Sequence, residues 1–296
     1  MLDNAVAVTS GKGGVLKTSL SCHLAGIAAS HGWKVLLVDA DPQGNAMFDL
    51  GYPSDGGVSL AAALVDGVQL QPLASVRPNL DVVCGGPALD KVAYTFRDEP
   101  CEWTRLKDAL ARLATNYDLV VIDSPARELW IRHMILTAAR FLVIPSSVDR
   151  ASRVGLPDAA ATINEVRAAT NPGLEVLAVV TGPIPVTSTQ IRQRARQRLG
   201  DLIGDHDLVC ETIIRRADLV AEHCREYGLL SHEYATLEHK GSAAGSKQDL
   251  NASGSATVSQ AADGVSEDWQ RLIGELLTRY RHATDQPPGQ SRRPVA

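Results

Sequence analysis

The residues best suited to chemistry stand near the start of the chain, in Ser10-Gly11-Lys12-Gly13-Gly14-Val15-Leu16-Lys17-Thr18-Ser19. This stretch follows an apolar run, Ala5 to Val8, and precedes a helix-compatible one, which is the setting of a phosphate-binding loop. Glycines let the backbone turn tightly so that N–H groups converge on phosphate oxygens, and the N-terminus of the next helix adds partial positive charge. Lys17 has the reach to meet β- and γ-phosphates, and the Thr18 hydroxyl suits Mg²⁺. Lys12 is a second lysine in the same loop. Gly11 to Thr18 nearly matches G-x-x-x-x-G-K-[ST], but Leu16 stands where the last glycine belongs. Leucine resists φ > 0, so either the backbone there is ordinary or phosphate affinity suffers. The plainer alternative is a glycine-rich turn that binds nothing.

Two more apolar runs end in acids. Val35-Leu36-Leu37-Val38 leads into Asp39-Ala40-Asp41-Pro42-Gln43-Gly44-Asn45, and Leu119-Val120-Val121-Ile122 leads into Asp123-Ser124-Pro125. Both place carboxylates at a strand's C-terminal end, where α/β sheets bind ligands.

With these blocks in hand, the chain resembles the ParA/MinD family of deviant Walker ATPases, and among them the ParA (Soj-like) partition proteins. The blocks are Lys12 to Val15 with Lys17 to Ser19, then Asp39 to Asn45, then Tyr117 to Pro125. Two looser ones are Phe141-Leu142-Val143-Ile144-Pro145, with Gly155-Leu156 as the turn after it, and Thr212-Ile213-Ile214-Arg215-Arg216 with Glu222 and Gly228 beyond. The last is similar to the family's T-V-I-P-R-N segment near the adenine, with Arg215 in place of the proline.

The resemblance implies ATP and Mg²⁺ as cofactors, bound by Gly11, Lys12, Gly13, Gly14, Val15, Leu16, Lys17, Thr18, Ser19 and Arg215. It implies catalytic roles for Lys12, Lys17 and Asp41: Lys17 on the β/γ-phosphates, Asp41 orienting the water, and Lys12 reaching across a dimer to the partner's nucleotide. Thr18 ligates Mg²⁺ and Asp123 holds it through water. Asp39 either joins the metal shell or caps the strand end, and Gln43 and Asn45 lie in a segment that changes shape with nucleotide. The implied partners are a second copy in an ATP-sandwich homodimer, nonspecific double-stranded DNA and a ParB-type centromere-binding protein, without stable membrane association.

Strand, loop and helix alternate along the chain, so the expected fold class is α/β: a single P-loop domain with a mostly parallel twisted sheet and helices on both faces. Strands are expected near 4–9, 34–39, 79–84, 118–123, 141–145 and 175–181. Helices are expected near 17–31, 102–115, 128–139, 157–169, 187–199 and 217–227. The ATPase domain would span 1–240. Residues 241–265, rich in Gly, Ser and Ala, read as a flexible insertion. Trp269, Leu272, Ile273, Leu276, Leu277 and Tyr280 recur at helical steps, so 266–283 reads as a helix packing back on the domain, and 284–296 as a disordered tail. The alternative for that helix is a MinD-like membrane-targeting face.

The chain has 296 residues, 45% hydrophobic but only 4% aromatic, enough for one core filled by aliphatic side chains. No run of 18 apolar residues occurs and the N-terminus enters a strand directly, so a cytoplasmic protein, nucleoid-associated in its ATP state, is expected, without a preceding operator-binding extension. Five scattered cysteines read as thiols. Asp81-Val82-Val83-Cys84-Gly85-Gly86 resembles the cluster-binding segment of nitrogenase iron proteins, but it precedes Asp123 and lacks a matching second cysteine.

A net charge of −5 argues against coating nucleic acid all over, yet leaves room for a patch. Of Arg192, Arg194, Arg196 and Arg198, only alternate pairs share a helix face. Arg192, Arg196 and Arg216 are the candidate DNA contacts, with a plain solvated surface as the alternative for the helix arginines. Two other functions stay open: a MinD-like or other cargo-positioning ATPase, and a nucleotide-gated binding module in which Leu16 suppresses turnover.

Overall fold

The computed structural model describes residues 1–11, 14, 16–96, 100–126, 129–146, 152–184, 189–243 and 255–286. Seven strands form one sheet: β1 (Leu2–Val8), β2 (Val35–Asp39), β3 (Leu73–Arg77), β4 (Leu80–Val83), β5 (Leu119–Asp123), β6 (Ala139–Ser146) and β7 (Glu175–Thr181), in the order β3-β4-β2-β5-β1-β6-β7. All neighbours are parallel except the edge pair β3 and β4.

The strands are apolar on both faces, as strands covered on both sides must be. Val6, Val8, Leu37, Val121 and Val143 point into one core. It is closed by α1 (Lys17–Ser30), α2 (Ala46–Leu50), α9 (Asp218–Tyr227), α10 (Ser231–Ala243) and α11 (Ser255–Thr284). Their alternates, Ala7, Leu36, Val38, Val120, Ile122 and Leu142, point into the other. That core is closed by α3 (Val58–Asp66), α4 (Leu89–Phe96), α5 (Arg105–Ala114), α6 (Leu129–Ala138), α7 (Ser152–Ala169) and α8 (Thr189–Ile203). The period-two alternation thus divides one set of strands between two cores.

The expected α/β sheet with helices on both faces is what the chain adopts. Several elements were not anticipated: α2, α3, α4, α10 and the antiparallel edge strand β3. Gly155 and Leu156 lie within α7, which begins at Ser152, so the turn expected there is helix instead. The segment expected to be flexible from 241 to 265 is helical at both ends, since α10 runs to Ala243 and α11 starts at Ser255. Residues 244–254, and 287–296 of the expected tail, lie outside the described residues.

Helix α11 buries Trp269, Leu272, Ile273, Leu276, Leu277 and Tyr280 against the first core. Among the described residues no helix is long and apolar enough to cross a membrane.

Candidate nucleotide site

Parallel pairing brings the acids together. Asp39 lies opposite Asp123 in the β2–β5 register, and Asp123 lies opposite Val8 at the end of β1, where the glycine-rich loop begins. Both carboxylates are fully buried. Each is satisfied by different groups. Asp123 accepts the Thr18 hydroxyl at 2.7 Å and the Ser21 hydroxyl at 2.8 Å, which ties β5 to the first turn of α1. Asp39 accepts backbone N–H groups from Asp41 at 3.0 Å and Ala46 at 3.2 Å.

Burial pushes both carboxyls well up from the ordinary range. In Asp39 the charge of Asp123 adds to the rise, whereas hydrogen bonds from Thr18 and Ser21 oppose it in Asp123. A cation beside this pair would relieve that cost. Asp39 itself, proposed above for the metal shell, has both oxygens taken by backbone and Gly85 packed against it. A Cβ at Gly85 would stand 2.7 Å from the Asp39 carboxyl carbon. Its place is under the loop, where it anchors Asp41 to Ala46.

Asp41 lines the cleft and is 8% exposed. Its Oδ1 accepts the Gln43 N–H at 2.9 Å, and its carbonyl accepts N–H groups from Gly44 and Gly86. Gly86 has φ +145, and a Cβ there would meet Gly56 backbone at 2.4 Å. The Cys84-Gly85-Gly86 stretch is therefore the floor under the Asp41 loop, with Cys84 a buried thiol.

Leu16 adopts φ +62 and ψ +15, so its backbone is left-handed and not ordinary. Its carbonyl accepts the Leu20 N–H at 2.8 Å, opening α1, and its side chain packs on the first core. A leucine in this conformation costs about 1–2 kcal/mol relative to the right-handed region. Lys17 is buried at 7% exposure and, with Gly14, Leu16, Thr18 and Ser19, lines a cleft of about 700 Å³. Lys12, Gly13 and Val15 lie outside the described residues.

Away from the loop, the cleft walls turn apolar through Ile214, Ala217, Val265 and Trp269. His23 sits on this wall, stacked on Trp269 with ring centroids 4.0 Å apart. The Ser231 N–H donates to His23 Nε2 at 3.2 Å, so the proton is on Nδ1, which donates to the Ser19 carbonyl at 2.7 Å. Burial drives the His23 pKa down to about 3, keeping the ring neutral. Neither His23 nor Trp269 was singled out as a site residue, because their meeting is a tertiary contact between distant helices.

Arg215 lines the cleft, but its Nε and Nη2 donate to Asp268 of α11 at 2.7 and 2.9 Å. The guanidinium expected at the nucleotide is committed to a helix contact. Arg216 also lines the cleft and pairs with exposed Asp218 at 3.0 Å. On α8 the inward stripe is Ala195, Leu199 and Ile203. Arg192 and Arg196 flank that stripe half-buried, with Arg196 3.5 Å from Glu211, and Arg194 and Arg198 are the exposed pair. The face assigned to nucleic acid is the less open of the two.

A glycine-rich loop between β1 and α1, a buried lysine, a hydroxyl on a carboxylate and acids at strand ends define a P-loop nucleotide-binding domain. The profile of the AAA_31 family, an AAA domain, matches residues 3–176. The chain is similar to the chromosome-partitioning ATPase Soj of Thermus thermophilus, at 34% identity over 175 residues, covering 59% of this chain and 67% of that protein. It is similar also to the chromosome partitioning protein ParA of Caulobacter vibrioides, at 32% over 211 residues, covering 68% and 78%. It therefore belongs to the ParA-type family of P-loop ATPases.

Among solved structures, its fold is shared by apo McdA of Cyanothece, with TM-score 0.73 and 18% identity over 93% of this chain and 99% of the other. Cobyrinic acid a,c-diamide synthase from Mycobacterium smegmatis, solved with an ATP analog and magnesium, aligns with TM-score 0.63 and 28% identity over 81% and 96%.

Proposed function

We propose that this protein is a partition ATPase that binds ATP and Mg²⁺ in the cleft, dimerises in that state, and then holds DNA nonspecifically. A ParB-type partner would stimulate hydrolysis and release, moving a plasmid or chromosome region. The observation that carries this reading is the cluster of Lys17, Thr18 and Asp123 at the ends of β1 and β5, with Asp41 lining the same cleft.

The oxygen donors of Thr18 and Asp123 suit Mg²⁺, which takes one or two protein oxygens and completes its shell with phosphate and water. Bound there, the metal would neutralise charge developing on the transferred phosphoryl group. Lys17 binds the phosphates, and Thr18 is oriented by Asp123. Asp41, in the loop anchored by Asp39, holds and orients the attacking water. Lys12 reaches the partner's nucleotide, which makes ATP part of the dimer interface. Arg216, together with Arg192 and Arg196 on one side of α8, supplies basic charge that the dimer doubles.

Light scattering with ATP·Mg²⁺, with ADP and without nucleotide, followed by binding to random-sequence DNA at two salt concentrations, tests the reading. An ATP-only dimer with salt-sensitive DNA binding is expected. A monomer indifferent to nucleotide and DNA would refute it. The left-handed Leu16 motivates the second reading, a nucleotide-gated binding module in which the dimer forms but turnover stays near zero with any partner.

A further inference from the structure

Three arginines line the cleft, and their guanidinium groups are held differently. Arg215 spends its fork on Asp268. Arg216 pairs with Asp218, its near neighbour in sequence, whose side chain is 74% exposed. Arg225, in the last turn of α9, donates through Nε to Asp49 Oδ1 at 2.9 Å. That carboxylate is only 5% exposed, whereas the Arg225 side chain is 53% exposed. Among the described residues Asp49 is the side-chain hydrogen-bond partner of the Arg225 guanidinium. Arg225 itself lines the cleft, with its side chain half-exposed.

The mount is stiff. Asp49 belongs to α2, directly after the Asp41–Asn45 loop, and its carboxylate is buried there. The end of α2 is locked to the end of α9: Arg77 donates to the carbonyls of Leu50 and Gly228 at 3.0 and 2.9 Å. Gly51 and Gly228 touch so closely that a Cβ on Gly228 would lie 2.4 Å from the Gly51 Cα. An arginine gripped at Nε by a buried carboxylate has its remaining N–H groups aimed before any ligand arrives, so little rotamer freedom is left to lose on binding.

We propose that Arg225 is a phosphate-contacting residue of the nucleotide cleft and that Asp49 is its positioning residue. The ligand class is a nucleoside polyphosphate, and this inference rests on the nucleotide reading of the same cleft. The arrangement also links occupancy to the Asp41 loop, because the cation that meets the nucleotide is tied to the helix that follows that loop.

The test is calorimetric ATP and ADP binding to the full-length protein, as wild type, Arg225→Gln, Arg225→Lys, Asp49→Asn and the Asp49→Asn/Arg225→Gln double variant, with melting curves of each. Losing a charge-assisted contact should weaken ATP by roughly tenfold or more in Arg225→Gln. Asp49→Asn, which loosens the grip, should weaken ATP by less. The double variant should be no worse than Arg225→Gln alone, the non-additivity of two residues acting as one unit. If Arg225→Gln also lowers the melting temperature, Arg225→Lys decides: retaining the charge, it should bind ATP more tightly than Arg225→Gln, and equal affinities overturn the proposal. Unchanged ATP affinity in Arg225→Gln overturns it while leaving the nucleotide reading intact. Additive losses in the double variant overturn the positioning role of Asp49. Failure of the wild type to bind either nucleotide overturns both readings.

Discussion

His23 offers a test of the cleft wall that needs no ligand. In the folded protein its pKa is driven down to about 3 by burial, against an ordinary 6.5. A depressed histidine contributes stability that is fully present above the unfolded pKa, near 6.5. That contribution fades as pH falls toward the folded value, because the unfolded chain takes up a proton that the buried ring refuses. Between pH 7.5 and pH 5 the unfolded state gains about 2 kcal/mol from this one group while the folded state gains almost nothing. Any folded pKa below about 4 gives the same figure, so the expectation does not depend on its exact position.

The assay is urea unfolding of wild type and His23→Gln at both pH values, read as the difference between the two proteins. Taking the difference cancels the buried carboxyls Asp39 and Asp123, whose raised pKa values act in the opposite direction, and His232, which burial also depresses. His23→Gln should be destabilised at pH 7.5 through loss of the stack on Trp269, and that penalty should shrink by about 2 kcal/mol at pH 5. Parallel pH dependences in the two proteins would mean that the ring protonates in place, and the neutral, Nδ1-protonated assignment would be wrong.

Other outcomes follow from the same geometry. Lys17→Ala should abolish ATP binding, whereas Asp41→Ala should retain ATP and prolong the dimer; an Asp41→Ala protein with normal hydrolysis would remove Asp41 from the water-positioning role. Leu16→Gly should relieve about 1–2 kcal/mol of backbone strain at the cost of the leucine's packing, leaving ATP affinity equal or better. A large loss of affinity on titration would show instead that the side chain supports the loop. Trp269→Ala should cost about 3–5 kcal/mol in denaturant unfolding, since the ring is buried at 4% exposure between α11 and His23. A cost below about 1 kcal/mol would mean that α11 is not anchored there.

Much of the fold and the loop chemistry was legible because it is local. Glycines before Lys17-Thr18, the runs at 35–38 and 119–122 and the acids directly after them each depend on residues a few positions apart. The helical stripe from Trp269 to Tyr280 is of the same kind, and all six of its residues are buried. Strand β3, Leu73-Ala74-Ser75-Val76-Arg77, escaped notice because it is a half-exposed edge strand with Ser75 at φ +56 and little apolar alternation. The Gly, Ser and Ala bias that read as flexible from 241 to 265 did not prevent helix at both ends. Alanine favours helix, and Ala262 and Val265 are buried against the first core.

Side-chain partnerships were another matter. The sequence by itself determined a P-loop α/β chain with acids at strand ends, because strand period, glycine conformation and loop spacing act over a few residues. Only the tertiary structure decided that Asp39 faces backbone while Asp123 faces Thr18, that Arg215 turns to Asp268, and that His23 rests neutral on Trp269. It alone brought Asp49 to Arg225, 176 positions away. Those choices depend on which helices the sheet order sets side by side, and a charge is satisfied by whatever partner that packing brings within about 3 Å, however remote along the chain.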